Sequence, residues 1–492
     1  MSTFYTNCVC RGDTLLYRGV ESSKRICKRI PYTPTLFIPS KEESKIKTLD
    51  GINVGSMKFD SIREANSFVD RYKDVDNFQI FGNTGYNYVY LSDQFPDEID
   101  FDISQMVIAI LDIEVCSSDG FPDPKEAKQP VVSIALKIKQ HDKEFTYVFG
   151  CKDFVNDRQD LKYVKCLDEQ TLLESFIKTW SKFYPDITTG WNSETFDWLY
   201  LINRIDFYYR KTIDYKKFSP FGNVYIRESK NFDGSIRKIP EIVGVSILDY
   251  MDLYKKFVYT ARESYRLDYI CHVELGERKL NYDEYSNLTE FYEKDYQRFI
   301  AYNIKDIDLV DLLDKKLNLL QQSIQIAFDS KVNFTDVFMQ VRMWDSIIFD
   351  YFRKNNLAFP FKKQHIKTAY AGAYVKEPIT GFHKWVVSMD VASMYPNLIV
   401  QYNISPDTIT GKFNQVDVQS LLEQEYDFEY LKDSDLALAA NGQHFKRDKQ
   451  GFLPEIIEKM YADRVRYKKL MLEKKKELEL IESEINRRGL NI

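Results

Sequence analysis

The stretch MVIAILDIEV, Met106 to Val115, decides the fold of this chain. Its apolar run has the length of a strand and suits a strand that is buried on both faces. Side chains two apart on a strand point to the same side, so Asp112 and Glu114 project together while Ile113 turns into the core. Adjacent carboxylates repel unless a cation lies between them, and their hard oxygens suit Mg²⁺ or Mn²⁺. The alternative is an ordinary strand end with two solvated acids.

The composition is that of a folded multidomain protein. The chain has 492 residues, of which 44% are hydrophobic and 15% aromatic, so about three or four domains are expected. Lys and Arg number 68 and Asp and Glu 74, a net charge of −6. This balance does not exclude a nucleic-acid partner, because a groove can be basic on an acidic molecule. Seven scattered cysteines without a CxxC pair and five dispersed histidines argue against a disulfide framework and a zinc centre.

The N-terminal sequence, MSTFYTNCVCRGD, has no apolar core of signal-peptide length. No apolar run in the chain approaches the length of a membrane-spanning helix. We therefore predict a soluble, intracellular protein that is not secreted and does not contact a membrane.

The first hundred residues alternate short apolar and aromatic segments with Lys, Asp and Gly. They predict a small α+β domain with one helix, Ser61 to Tyr72, and with segments such as YNYVYLSD as short strands. Interleaved aromatic and basic residues could bind single-stranded nucleic acid, although aromatic residues in short strands are more often core.

A second acidic signature lies in DITTGWNSETFDW. The pattern predicts a short strand from Asp186 to Thr189, a turn at Gly190 and a helix from Thr195 onward. Asp197 then lies in the first turn of this helix, where simple capping of the helix dipole also explains a carboxylate.

A third acidic signature lies in the helical pattern from Glu290 to about Ala327. Within it, Tyr302 and Asp306 are four residues apart and share one helix face. Asp308 and Asp311 fall on other faces and are predicted to be solvated.

Together these signatures resemble the DEDDy-type 3′→5′ exonuclease domain of family B DNA polymerases. Spacing alone does not show that the acids converge. If they do, four carboxylates could hold two divalent ions about 4 Å apart, the arrangement that supports phosphodiester hydrolysis. The resemblance implies that Tyr302 positions the attacking water and that Asn192 contacts DNA. It implies the metal ligands Asp112, Glu114, Asp197 and Asp306.

Later motifs resemble the polymerase part of the same family. YAGAYVKEP is similar to the link between the exonuclease and polymerase domains, which implies DNA contacts from Tyr370 and Gly372. DVASMYPNLIVQYNISPDT is similar to polymerase motif A. By that likeness Asp390, at the end of a predicted apolar strand, is a metal ligand, helped by the Val391 carbonyl.

The likeness also implies a nucleotide-binding set. Tyr395 would lie under the deoxyribose and exclude ribonucleotides. Arg464 and Lys468 would reach the triphosphate from a final helix predicted from Leu453 to about Leu490, although a solvated charged helix is the alternative. Motif A adds two residues to this set, Ser393 and Met394.

The resemblance covers essentially all 492 residues and is strongest to family B polymerases of T-even-like bacteriophages. It implies an α/β and α+β multidomain fold with an RNase H-like exonuclease domain. The expected parts are an N-terminal α+β domain (1–100 plus about 320–362), the exonuclease domain (101–319), a partial palm with motif A (363–447) and partial fingers (448–492).

Two family features do not occur in the sequence: the Asn-Ser-x-Tyr-Gly helix and the Asp-Thr-Asp turn with a second palm carboxylate. The expectation is therefore the N-terminal portion of a replicative, proofreading DNA polymerase whose polymerisation requires a C-terminal half. A natural split subunit, a truncated gene and a truncated clone all remain open. The competing hypotheses are a stand-alone 3′→5′ exonuclease and a regulatory protein whose N-terminal domain binds RNA.

The resemblance also implies cofactors, partners and a location. The cofactor is Mg²⁺ or Mn²⁺ in a two-metal site. The partners are primer–template DNA, single-stranded 3′ ends, dNTP in the completed polymerase, a C-terminal polymerase chain if the enzyme is split, and a sliding clamp through the C-terminal part. The location is the cytoplasm of an infected bacterial host.

Overall fold

The computed structural model describes residues 2–116, 120–141, 143–230, 234–362, 375–412, 420, 423 and 425–489. The chain divides into two compact units, Met1–Lys363 and Gln364–Ile492. Tyr370 and Gly372, the predicted DNA contacts of the interdomain link, lie outside the described residues. None of the described helices is long and apolar enough to cross a bilayer.

The first unit contains four sheets in its described part. A three-stranded antiparallel sheet and two two-stranded ribbons accompany a six-stranded mixed sheet of order β13-β10-β6-β7-β8-β9. The strands are β1 (Phe4–Arg11), β2 (Thr14–Glu21), β3 (Lys24–Pro31), β4 (Thr35–Pro39), β5 (Val54–Lys58), β6 (Ile108–Val115), β7 (Val131–Gln140), β8 (Lys143–Gly150), β9 (Leu161–Lys165), β10 (Ile187–Thr189), β11 (Val224–Lys230), β12 (Ile236–Ile242) and β13 (Ser246–Ile247).

The helices of the first unit pack on both faces of the large sheet and around the smaller ones. They are α1 (Ile62–Tyr72), α2 (Tyr86–Gln94), α3 (Glu169–Phe183), α4 (Asp197–Arg204), α5 (Tyr250–Phe257), α6 (Leu267–Leu275), α7 (Leu288–Lys294), α8 (Tyr296–Leu317), α9 (Leu319–Ser330) and α10 (Gln340–Lys354).

Strand β6 lies inside the large sheet, as its apolar sequence predicts. It pairs antiparallel with β7 and parallel with β10, which in turn pairs parallel with β13. Alternate side chains of β6 enter two different cores: Ile108 and Ile110 pack in the core that includes α8, and Leu111 and Ile113 pack in the core that includes α3. Because the alternation has a period of two, Asp112 and the second acid two residues later face α8.

Two secondary-structure predictions for the N-terminal region had different outcomes. The predicted helix from Ser61 is confirmed as α1, and the Ser61 hydroxyl caps it by accepting the Glu64 N–H. The prediction that YNYVYLSD forms a strand is wrong, because it forms α2. Tyr86, Tyr88 and Tyr90 recur at every second position and so imitate a strand.

The helical pattern from Glu290 to about Ala327 forms three helices, α7, α8 and α9. Asp295 separates the first two and caps α8 by accepting the Arg298 N–H. Asn318, in the left-handed conformation at φ +56°, separates α8 from α9. Asparagine is among the few residues that adopt this conformation readily, so α8 ends there.

The prediction that Asp308 and Asp311 are solvated is wrong. Asp311 is 2% exposed and its carboxylate lies 3.0 Å from Lys137 Nζ and 2.8 Å from Lys139 Nζ. Asp308 lies 2.7 Å from Lys137 Nζ. The two lysines are two apart on β7 and therefore reach the same face, on which α8 packs. Burial opposes the charge of Asp311, but Lys139 and Lys137 outweigh it and lower its pKa to about 2.

We expect Asp311→Asn to lower the free energy of unfolding by about 3 kcal/mol at pH 6, because it removes the buried carboxylate that Lys137 and Lys139 share and leaves Lys137 with Asp308 alone. The Asp311 pKa is about 2 in the folded chain and about 3.9 when unfolded. Its contribution is therefore complete above about pH 4 and is lost as the pH falls towards 2. Urea unfolding of wild type and of Asp311→Asn at pH 6 and pH 3 measures the difference in free energy of unfolding.

The control is Asp153→Asn, which breaks an exposed ion pair with Lys165 and is expected to cost less than about 1 kcal/mol at either pH. An Asp311→Asn penalty that is as small as the control's, or that does not shrink at pH 3, contradicts the buried ion cluster.

The second unit contains a three-stranded antiparallel sheet of order β14-β16-β15 and two helices in its described part. The predicted final helix is confirmed, with Pro454 in its first turn. The predicted apolar strand before Asp390 is wrong, since residues 385–390 form no strand and Trp385 is 97% exposed. The described part of this unit offers that segment no neighbouring strand, and unpaired strand backbone is unstable. The elements are α11 (Met394–Gln401), β14 (Ile409–Lys412), β15 (Leu436–Leu438), β16 (Gln443–Lys446) and α12 (Phe452–Arg487).

Candidate active site

The carboxyl ends of three parallel strands bring the acidic signatures together. Strands β6, β10 and β13 run parallel in adjacent positions, so the segments that follow them lie at one edge of the sheet. Asp112 and Glu114 lie at this end of β6, and the loop 190–196 follows β10. Helix α8 packs on the same face and adds Asp306. One carboxylate oxygen from each of these three acids lies within 4.8 Å of the others.

In the part of the chain that the structure describes, one oxygen of Asp306 has a cationic partner and the other has none. Its Oδ2 lies 2.5 Å from Lys279 Nζ. Its Oδ1 is buried and has no hydrogen-bond partner among the described residues. Lys279 Nζ also donates to the Tyr302 hydroxyl at 2.8 Å, so it connects the two residues that α8 presents. A buried oxygen without a partner is costly, and this one belongs to the three-acid cluster.

Asp112 is held from α8 by an amide. Asn303 Nδ2 donates to Asp112 Oδ2 at 2.7 Å, and Asn303 Oδ1 accepts the Ser133 hydroxyl at 2.7 Å. Three residues of this arrangement were not predicted from the sequence: Asn303, Ser133 and Lys279. Asn303 could have been found, because it precedes Asp306 by three residues and so shares its helix face. Lys279 lies in the segment between α6 and α7, where no periodic pattern indicates a contact with α8.

Asp197 begins α4 and approaches β6 from the side of the loop. Its Oδ1 accepts the Ile113 N–H at 2.9 Å, but it is not part of the three-acid cluster. The backbone at position 190 lies so close to β6 that only glycine fits, because a Cβ there would lie 2.4 Å from the Leu111 carbonyl oxygen. Asn192, at φ +64°, accepts the Thr195 hydroxyl at 2.6 Å.

Two family descriptions match this chain: DNA polymerase family B, exonuclease domain, at residues 86–270, and DNA polymerase family B at residues 337–486. The chain belongs to DNA polymerase family B. The family predicted from the sequence is thereby confirmed, as is the mixed α/β multidomain fold with an exonuclease domain and a palm region.

Phage polymerases are similar to this family B chain over its full length. The DNA-directed DNA polymerase of Escherichia phage RB69 is 31% identical over 519 residues, which cover 100% of this chain and 56% of the relative. The DNA-directed DNA polymerase of Enterobacteria phage T4 is 31% identical over 505 residues, which cover 98% of this chain and 55% of the relative. The DNA polymerase delta catalytic subunit of Caenorhabditis elegans is 27% identical over 392 residues, which cover 75% of this chain and 34% of the relative. The chain thus spans a little over half the length of the phage relatives.

The family B exonuclease domain concentrates negative charge in a buried place. Burial, reinforced by the charges of Asp306, Asp197 and Glu114, raises the pKa of Asp112 well above its ordinary value. Burial and Asp306 raise the pKa of Glu114 to about 8, and burial raises that of Asp197 to about 7. Lys279 alone does not balance four carboxylates. Divalent cations fit this donor set, because all donors are hard oxygens and one Asp306 oxygen is unpaired.

The predicted polymerase residues of this family B chain lie in its second unit. Ser393 directly precedes α11, and its hydroxyl accepts Arg464 Nη1 of α12 at 2.9 Å. Asp390 and Tyr395 are exposed. In the part of the chain that the structure describes, no further acids gather around Asp390 into a metal-binding cluster. The structure therefore brings motif A and α12 into contact. The remaining residues of the predicted set are exposed: Val391, Met394 and Lys468.

Proposed function

We propose that this chain hydrolyses the 3′-terminal phosphodiester of DNA with Mg²⁺ or Mn²⁺ as cofactor. The observation that carries this proposal is the convergence of Asp112, Glu114 and Asp306, whose oxygens lie within 4.8 Å of one another, beside an unpaired buried oxygen. The match of the exonuclease-domain description over residues 86–270 supports the same reaction.

The four carboxylates divide the work of holding the cofactor. Asp112, Glu114 and Asp306 would hold the metal ions, and Asp197, at the start of α4, would complete their ligands. When bound, the ions supply an activated water and neutralise charge on the leaving oxygen. Asn303 keeps the Asp112 carboxylate in place through its 2.7 Å hydrogen bond. A ligand held in this way needs little rearrangement on metal binding.

Tyr302 orients the attacking water in this proposal. Burial and the nearby Glu114 and Asp306 raise its pKa, so the hydroxyl keeps its proton at neutral pH. Lys279 donates to the hydroxyl oxygen, which leaves the hydroxyl proton free to donate to a water or phosphate oxygen.

The substrate we propose is a single-stranded or frayed 3′ end, since a paired terminus must separate to enter a buried site. Asn192 would contact this strand from the loop 190–196. The phage relatives support action in the cytoplasm of an infected bacterium. Primer–template DNA is the larger partner that family membership indicates.

The second unit supports a polymerase role for the residues of motif A and α12. The family B polymerase description matches residues 337–486, and Arg464 contacts Ser393. We assign dNTP binding to these two residues together with Tyr395 and Lys468, and metal binding to Asp390. The domain boundaries expected at 100, 319, 362 and 447 are part of the same proposal.

Metal removal tests the proposed hydrolysis. A single-stranded DNA labelled at its 5′ end is incubated with the chain and Mg²⁺, and we expect a ladder of labelled products that shorten one nucleotide at a time. Excess chelator should abolish the ladder, and added Mn²⁺ should restore it, because the carboxylates act only through bound cations. The same DNA labelled at its 3′ end should release mononucleotide first.

The control is the same DNA with a blocked 3′ end, which should persist. Shortening in the presence of chelator, or release that begins at the 5′ end, contradicts the proposed reaction.

A further inference from the structure

The loop 190–196, which carries the chain from β10 to Asp197, is held by the segment that follows β13. The two strands are parallel, so the ends of both lie at the same edge. The Tyr250 N–H donates to the Gly190 carbonyl at 2.9 Å and continues the pairing beyond the strands. The first residues of α5 therefore lie directly against the loop.

Asp249, which precedes α5, makes most of this contact. It is 3% exposed. Its Oδ1 accepts the Met251 N–H at 3.0 Å and the Asn192 N–H at 3.1 Å, and its Oδ2 accepts the Glu194 N–H at 3.0 Å. The bond from Met251 is an ordinary helix cap. The other two bonds are not needed for capping, and both bind the loop.

The anchored loop residues connect directly to the turn that presents Asp197. The Asn192 carbonyl accepts the Phe196 N–H at 3.1 Å, and the Ser193 carbonyl accepts the Trp198 N–H at 2.9 Å. These hydrogen bonds bracket Asp197, whose own Oδ1 accepts the Ile113 N–H. The position of Asp197 relative to β6 is thus set at one end by β6 and at the other by the loop that Asp249 holds.

We infer that Asp249 is a positioning residue for the exonuclease reaction. Its carboxylate holds the loop 190–196 so that Asp197 meets the cations bound by Asp112, Glu114 and Asp306. This inference rests on the proposed function. Asp249 touches neither substrate nor metal in it and acts through Asp197.

Asp249→Asn separates the cap from the loop contact. An amide keeps one acceptor oxygen and places an NH₂ where the other oxygen was. With its oxygen at the Oδ1 position, the amide keeps the hydrogen bonds from the Met251 N–H and the Asn192 N–H. Its NH₂ group then faces the Glu194 N–H, and two donors cannot bond to each other. In the reverse orientation it loses the hydrogen bonds from both the Met251 N–H and the Asn192 N–H, so the cap is kept only in the first orientation. Either way at least one loop contact is lost with no change in side-chain size.

The experiment compares wild type, Asp249→Asn and Asp168→Asn. Asp168 caps α3 in the same unit by accepting the Thr171 N–H at 2.8 Å and binds no part of the loop. Hydrolysis of single-stranded DNA is measured against Mn²⁺ concentration, and Mn²⁺ binding is measured by calorimetry without DNA. For Asp249→Asn we expect about a tenfold higher half-saturating Mn²⁺ concentration and about a tenfold lower kcat, the size of effect seen when a partner of a metal ligand is lost. The KM for DNA and all values for Asp168→Asn should stay at the wild-type level.

A second variant tests whether the effect of Asp249→Asn arises from misfolding. Asp249→Ser retains a hydroxyl that can cap α5 but has a single, shorter oxygen for the loop, and it should shift the Mn²⁺ requirement in the same direction. Wild-type Mn²⁺ affinity and kcat in the folded variants would overturn the inference. If the wild-type chain hydrolyses no DNA, the proposed function fails, and calorimetry alone then decides: weaker Mn²⁺ binding by Asp249→Asn supports the inference, and equal binding overturns it.

Discussion

Replacing Asp112 and Glu114 together by Ala is expected to lower Mg²⁺-dependent hydrolysis of single-stranded DNA by at least about 10³-fold. These acids supply two of the three converging carboxylates. Metal ions contribute several kcal/mol of transition-state stabilisation in such reactions, and each 1.36 kcal/mol is a factor of ten in rate. Single-turnover hydrolysis of a 5′-labelled oligonucleotide measures the loss.

The same variant should fold at least as well as wild type in the absence of metal. Burial and the charge of Asp306 raise the pKa of Asp112 and of Glu114, so removing both acids relieves an unfavourable charge cluster. Added Mn²⁺ should raise the unfolding temperature of wild type and not of the variant, since a ligand stabilises only the protein that binds it. Thermal unfolding with and without Mn²⁺ therefore distinguishes a lost site from a lost fold.

The matched control is Asp153→Ala with Asp157→Ala, which removes two exposed acids between β8 and β9. It should retain wild-type hydrolysis and the wild-type response to Mn²⁺. Undiminished hydrolysis by the Asp112→Ala, Glu114→Ala variant would remove these acids from the mechanism.

The acids of the candidate site could be predicted because short-range periodicity determines where they point. A period of two on β6 directs Asp112 and Glu114 to one side, and a spacing of four on α8 directs Tyr302 and Asp306 to one face. The resemblance to family B then suggested that these faces meet. In the structure α8 packs on that side of β6, and three of the four acids converge.

The groups that support the acids could not be predicted in the same way. Lys279 reaches Asp306 from an irregular segment, and Asp249 reaches the loop 190–196 only because β13 lies parallel beside β10. Both contacts depend on topology, which one sequence does not display. Asp311 was misjudged for a related reason: the lysines that neutralise it come from β7, far away in sequence.

The two wrong strand predictions have a different physical origin. Helix α2 carries Tyr86, Tyr88 and Tyr90 at alternate positions, so its pattern is that of a strand, although the residues it buries are Tyr86, Leu91 and Ser92. The apolar segment before Asp390 has a strand's composition, but composition alone does not provide the neighbouring strand that a sheet requires.

Lys279→Met is expected to have the second-largest effect on the candidate site. Lys279 is the cation that contacts Asp306, at 2.5 Å, and it also donates to the Tyr302 hydroxyl at 2.8 Å. Burial opposes its charge, but Asp306, Tyr302 and Asp112 outweigh burial and raise its pKa, so it stays protonated. Its loss should leave Asp306 misoriented and lower hydrolysis about 10- to 100-fold, the range for the loss of a group that orients a metal ligand.

Stability should respond to the same change in a metal-dependent way. Without metal, Lys279→Met removes the cation that the structure places against Asp306 and should lower the free energy of unfolding by about 3 kcal/mol. Mn²⁺ at saturating concentration should recover part of this loss, because bound cations replace the missing positive charge. Urea unfolding with chelator and with Mn²⁺ measures both values.

Lys305→Met is the matched control, since Lys305 lies on α8 and pairs with Glu277 away from the acid cluster. It should leave hydrolysis unchanged and should show no stability loss that Mn²⁺ recovers. If Lys279→Met behaved as this control does, the charge of Lys279 would be irrelevant to the acids, and their repulsion would have to be relieved by protonation alone.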